Sequence, residues 1–258
     1  MTGRISISEI VDEIIGKNSA GQSPLVVFDL DSTLFNVSLR TQKIVETFVN
    51  DPAIREKFSS EVAELSALKI TPRDWGLRQA IERSGIQVTE AFAKTLRDYW
   101  RSRFFSSEFL DADRPYPGSR EAVLQLNEAG AQIIYLTGRD ERNMKIGTID
   151  SLKRWGFPLN FEKPDLHSND GSMLPANLIM KPIKGSIEDE EFKEIEMQKI
   201  VEKFKSRHRD IWFFENEPII IERVRSATPV VHLIWVDTTH SGRGENPTDL
   251  PILVWRDF

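Results

Sequence analysis

Leu25-Val26-Val27-Phe28 is an apolar run that opens directly onto Asp29-Leu30-Asp31-Ser32-Thr33-Leu34. A strand this apolar is buried on both faces, as strands of a parallel sheet are. Residues two apart on an extended backbone face the same side, so Asp29 and Asp31 are expected together at the carboxyl end of that strand. Open α/β sheets bind their ligands at that end. Two carboxylates this close repel unless a cation or a shared proton relieves them. Mg²⁺, which takes hard oxygen ligands, suits the pair. An Asx-type turn built by the two aspartates is the alternative, and the apolar strand in front of them favours chemistry over it.

The rest of the chain alternates between the two kinds of element. Ile5 to Lys17 reads as a helix with Ser8 as its N-cap, and Leu25 to Leu30 as the first strand. From Val37 to Asp113 the pattern is mostly helical, with Pro52 and Pro72 at helix starts, Thr71 capping the latter and Thr89 capping a later helix. Turn residues follow at Arg114-Pro115-Tyr116-Pro117-Gly118. Beyond them helices are expected over 119–129, 143–155 and 186–208, and strands over 132–136, 177–180, 211–214 and 230–236. Helices alternating with strands argue for an α/β protein, a parallel sheet with helices on both faces.

Composition excludes several classes. The chain of 258 residues carries a net charge of −6 and no cysteine, which argues against a broad nucleic-acid-binding field and removes thiol chemistry, disulfides and thiolate metal sites. No stretch reaches the roughly 18 apolar residues of a membrane span, and the first residues lack a leader-like apolar run. A cytoplasmic location is the expectation. His167, His208, His232 and His240 have no metal-like spacing, and the Ser-Gly-Arg-Gly stretch with Gly242 and Gly244 completes no phosphate-binding motif.

A second apolar strand, Ile133-Ile134-Tyr135-Leu136, ends in Thr137-Gly138-Arg139-Asp140. The Thr137 hydroxyl and a backbone N–H near Gly138 suit the oxygens of a phosphoryl group, whereas Arg139 is open between substrate phosphate and a core acid such as Asp140. A third strand, Ile211-Trp212-Phe213-Phe214, ends in Glu215-Asn216-Glu217-Pro218.

Taken in order, these motifs resemble the haloacid dehalogenase (HAD) superfamily, from about Leu25 to Ala227. Asp29, Asp31, Thr33 and Leu34 meet every fixed position of its first motif, and the Thr-Gly-Arg form of the second occurs in phosphatase branches. The resemblance implies a Rossmann-like three-layer sandwich formed by residues 1–36 and 114–258, with 37–113 inserted as a helical cap of the C1 type. It also implies a lysine near the nucleophile. Lys181, Lys184 and Lys193 are the candidates, and Lys193 leaves a normal helix and loop before the Ile211 strand. The family ends its last motif in adjacent acids, where this chain has Glu215 and Asn216. Asn216 offers a neutral carbonyl oxygen, and Glu215 or Glu217 is then expected to be the anionic ligand.

The implied function is Mg²⁺-dependent hydrolysis of a small phosphorylated metabolite. Asp29 acts as nucleophile, Asp31 as acid and base, Thr137, Gly138 and Lys193 hold the phosphoryl group, and Asp29, Asp31, Glu215 and Asn216 hold the metal. A HAD-like binding protein without turnover, a phosphotransferase and a phosphatase of nucleic-acid ends are the rival readings. The cap residues Arg73, Trp75, Arg78 and Trp100 are expected in surface or packing roles.

Overall fold

The computed structural model describes residues 3–16, 23–161, 174–183, 185, 187–205 and 210–255. Lys184, His167, His208 and the expected ends of two helices at Lys17, Ser186 and His208 lie outside them. In chain order the elements are β1 (Gly3–Ile5), α1 (Ile7–Gly16), β2 (Leu25–Phe28), β3 (Phe35–Asn36), α2 (Ser38–Asn50), α3 (Pro52–Lys57), α4 (Ser59–Leu65), α5 (Leu77–Ser84) and α6 (Glu90–Phe104). There follow β4 (Arg114–Pro115), α7 (Ser119–Glu128), β5 (Gln132–Asp140), α8 (Glu141–Arg154), β6 (Leu178–Lys181), α9 (Asp189–Phe204), β7 (Ile211–Glu215), α10 (Pro218–Ala227), β8 (Val231–Val236) and β9 (Pro251–Leu253).

Seven strands form one parallel sheet in the order β1-β9-β8-β7-β2-β5-β6. The alternation of side chains along β2 builds the layers. Val26 and Phe28 enter a core shared with Ile10 and Ile14 of α1, Val123 and Leu126 of α7, and Leu152 of α8. Leu25 and Val27 face the opposite core, with Phe192 and Met197 of α9 and Ile220 and Val224 of α10. All four β2 side chains are buried, each burial worth roughly 1.5–3 kcal/mol. The result is a Rossmann-like three-layer α/β fold.

Helices α2 to α6 stand apart with a third core of their own, centred on Phe48, Phe58, Leu65, Phe92 and Leu96. Phe92 packs edge-on against both Phe48 and Phe58, with centroids 5.6 and 5.3 Å away. The insert leaves and returns through the two-stranded antiparallel ribbon β3-β4. Among the described residues no helix is long and apolar enough to cross a membrane.

Local details correct several expectations. Ser6 rather than Ser8 caps α1: its hydroxyl accepts from the Glu9 N–H, while the Glu9 carboxylate takes the Ser6 N–H and O–H, a reciprocal capping box. Pro72 begins no helix. It lies in a turn where Asp74 accepts from the Thr71 N–H and hydroxyl, and the helix waits until Leu77. Thr89 does cap α6 through the Phe92 N–H. β5 runs on to Asp140, beyond the expected Leu136, because a register shift between Thr137 and Asp140 lets it stay paired with β6. Strand β1 at the sheet edge and its neighbour β9 carry too few residues to show a period of two.

Candidate active site

Three neighbouring strands deliver the site. Phe28 of β2 is level with Tyr135 of β5 on one side and Phe214 of β7 on the other. One residue further, Asp29 is level with Glu215, and Thr137 follows two residues after Tyr135, all at the carboxyl edge of the sheet. The Asp29 N–H donates to the Phe214 carbonyl, and the Phe28 and Phe214 rings stack below it at 4.6 Å.

Lys193, from the second turn of α9, lies between two acids, 2.6 Å from Asp29 Oδ1 and 2.7 Å from Glu215 Oε2. All three residues are buried. Burial raises both carboxylates, against the pull of Lys193, whose own value is raised by the two acids beside it. Glu215 Oε1 accepts from the N–H groups of Asn216 and Glu217. Both oxygens of Glu215 are thus engaged, which suits a group that positions the lysine more than one that ligates a metal. Lys181 is directed elsewhere, to the Ile187 carbonyl and to Asp189.

Asp31 belongs to a second cluster. Its Oδ1 accepts from Arg139 through Nε at 2.8 Å and through Nη2, and from Arg40 Nη2 at 3.1 Å. Both arginines also bind the fully buried Asp113. Burial works to raise Asp31, but the Arg139 and Arg40 guanidiniums hold it down to about 2. Arg139 therefore pairs with core acids, though not with Asp140, which caps α8 through the Asn143 N–H. Arg40 and Asp113 escaped the sequence reading. They sit at the two ends of the helical insert, 73 residues apart, and no local pattern marks them.

Around Asp31 the chain turns back tightly: Leu34 and Phe35 both donate to the Leu30 carbonyl. Ser32 is left-handed at φ 62°, a strain non-glycine residues bear chiefly at functional sites. The loop is tied down by Thr238 and Trp255, which donate to the Ser32 and Thr33 carbonyls.

Asn216 is fitted as an amide. Its Oδ1 accepts from the Thr33 hydroxyl at 3.0 Å and its Nδ2 donates to the Thr239 carbonyl at 2.7 Å. Glu217 accepts from the Ser241 N–H and hydroxyl and from the Trp75 indole N–H at 3.0 Å, so it latches the insert to the sheet rather than offering an anionic ligand. Among the described residues no group of three or more His, Cys, Asp or Glu gathers to hold a metal.

The Thr137 hydroxyl accepts from the Arg139 N–H. At Gly138 a Cβ would lie 2.7 Å from Asp189 Oδ2, so a side chain there would have to displace that carboxylate. These groups open into a cavity of about 200 Å³. Asp29, Asp31, Thr137, Gly138 and Lys193 line it together with Trp75, Trp100, Phe104 and Phe105 of the insert. Trp75 and Trp100 thus reach the site, while Arg78 pairs at 3.7 Å with Glu82 in solvent and Arg73 contributes its carbonyl to Thr239.

The family model of the haloacid dehalogenase-like hydrolases matches residues 24–216, from the foot of β2 to Asn216. The chain belongs to that family. No curated protein matches it. A candidate phosphatase from Clostridium difficile has a similar fold, with 14% identity, TM-score 0.52 and coverage of 89% of this chain and 93% of that one. A HAD-like hydrolase of Burkholderia xenovorans LB400 follows at 12% identity and TM-score 0.49, covering 90% and 94%. One from Streptococcus pneumoniae is similar at 9% and 0.47, covering 89% and 92%. The first of these likenesses extends the fold beyond the matched segment to most of the chain.

Proposed function

We propose that this HAD-like hydrolase cleaves small phosphomonoesters with Asp29 as the nucleophile. The observation that carries the reading is the seat of Asp29. It is buried at the end of the central strand, one oxygen is held by Lys193 at 2.6 Å, and it faces a cavity shared with Thr137 and Gly138. Attack of a carboxylate oxygen on phosphorus breaks the ester P–O bond and leaves an aspartyl-phosphate. Water then attacks the same phosphorus, releasing inorganic phosphate and restoring Asp29. Lys193, the Thr137 hydroxyl and a backbone N–H at Gly138 stabilise charge on the phosphoryl oxygens.

Asp31 gives a proton to the leaving alcohol and recovers one from the attacking water. All three guanidinium bonds fall on its Oδ1, which leaves Oδ2 for that exchange. Because the arginines favour the carboxylate, giving up the proton is the easier half and taking one back the harder.

The oxygen donors here fit Mg²⁺ in kind. Asp29, the Asp31 carbonyl and the Asn216 amide oxygen would hold it, with Glu215 kept one step back by Lys193. When bound, Mg²⁺ supplies neutralisation of the phosphoryl oxygens and alignment of the ester. The insert acts as a C1-type cap that excludes water and limits substrate size. That enclosure, with the net charge of −6, favours a small metabolite over a nucleic-acid end.

Asn216, which replaces a charged oxygen with a neutral one, favours a second reading: a HAD-like binding protein without turnover. Hydrolysis of an aryl phosphate with Mg²⁺ and with chelator separates the two. Turnover that needs Mg²⁺ and disappears in Asp29→Asn is expected of the phosphatase. Absence of turnover, together with no Mg²⁺ binding by calorimetry, would decide for the binding protein.

A further inference from the structure

Trp75, Trp100, Phe104, Phe105 and Met144 also line the cavity, and the phosphoryl chemistry does not use them. The rings brace one another, Trp100 against Phe104 at 4.7 Å and Phe104 against Phe105 at 5.1 Å. The polar edges of both indoles are taken, Trp75 by Glu217 at 3.0 Å and Trp100 by Thr41 at 3.2 Å. What remains for a ligand is apolar surface.

The lining cations are equally committed. Lys193 lies between Asp29 and Glu215, Arg139 between Asp31 and Asp113, and Arg243 against Glu190 at 2.9 and 3.2 Å. An anionic leaving group would meet no unpaired cation among the described lining residues, and would face the carboxylates of Asp31, Asp189 and Glu217. A polyol would turn hydroxyls toward rings that cannot bond them, an unfavourable burial.

Size agrees. An apolar cavity of roughly 150 Å³ accepts benzene, so about 200 Å³ has room for a phosphoryl group and one ring. A second cavity of about 620 Å³ is lined by Leu77, Ile81, Val88 and Leu96 and by polar residues such as Arg78, Glu82 and Arg97. Trp75, itself half exposed, and Trp100 line both spaces.

Resting on the phosphomonoester reading, we propose that the substrate's leaving group is a compact, uncharged alcohol bearing a single apolar or aromatic ring. Benzyl phosphate, glycerol 1-phosphate, phosphoglycolate and decyl phosphate have unactivated alkyl leaving groups and differ mainly in shape and charge. Benzyl phosphate is expected to exceed the other three at least tenfold in kcat/KM, through KM. Trp100→Leu is expected to erase that preference, and Trp75→Ala, which removes a side chain that lines both cavities, to admit the decyl ester.

Binding of the non-hydrolysable benzylphosphonate and phosphonoacetate, measured by calorimetry and tryptophan quenching, tests the same recognition without turnover. Tighter benzylphosphonate binding is expected even if the protein proves not to be a phosphatase. Preference for the polyol or carboxylate ester, for decyl phosphate in the wild type, or for phosphonoacetate would overturn the proposal. Failure to hydrolyse any ester, with benzylphosphonate still preferred, would overturn only the phosphatase reading.

Discussion

Asn216 shows how a single atom type decides a site. The amide donates to the Thr239 carbonyl at 2.7 Å, so Asn216→Asp would set a carboxylate oxygen against a carbonyl oxygen in a buried place. Loss of that bond, with both oxygens desolvated, costs about 1–3 kcal/mol. Thermal unfolding in chelator is expected to show this drop, and saturating Mg²⁺ to recover part of it, because the new charge strengthens the donor set. Lys193 is the converse case, one cation serving two buried acids. Lys193→Met leaves Asp29 and Glu215 facing each other unpaired and is expected to destabilise the fold by about 3–5 kcal/mol. Adding Glu215→Gln should restore a measurable part in denaturant titration, since it removes one of the two stranded charges. Both roles were partly legible in sequence. Strand-end motifs mark Asp29, Thr137 and Glu215 because a strand lays chemistry out linearly. The partners that hold Asp31 are not legible, since Arg40 and Asp113 meet only after the insert has folded between them.

Elements show the same division. The strands that position the site, β2, β5 and β7, are buried and apolar enough to be read directly, whereas helix starts in the insert are governed by local side-chain bonds. Pro72 invites a helix that Asp74 forestalls by bonding Thr71 and then Arg83, at 2.8 Å through both Nε and Nη2. Burial would raise the Asp74 carboxyl, but Arg83 and the Thr71 donors outweigh it and hold it below its ordinary value. The folded value lies below the unfolded one, so the contribution is complete above about pH 4. It is lost as pH falls through the lowered folded value. Trp75 fluorescence is therefore expected to report loosening of this turn in acid before the sheet unfolds. Asp74→Asn should bring the same change at neutral pH.

At the scale of the molecule, the geometry of the candidate site depends on the segment after β9. Trp255 is buried and its indole donates to the Thr33 carbonyl at 2.7 Å, so the segment after β9 anchors the loop that follows Asp29. Trp255→Phe keeps most of the buried area and removes the donor. It is expected to lower stability by about 1–2 kcal/mol and to reduce kcat more than KM, with steady-state kinetics as the check. The same edge of the sheet has a consequence for biosynthesis. Among the described residues strand β1 pairs only with β9, a partner far along the sequence. Closing so long a loop comes late. As the chain emerges from the ribosome, β1 must wait, unzipped, until β9 has been translated, and that idle interval is when a nascent-chain chaperone would find it.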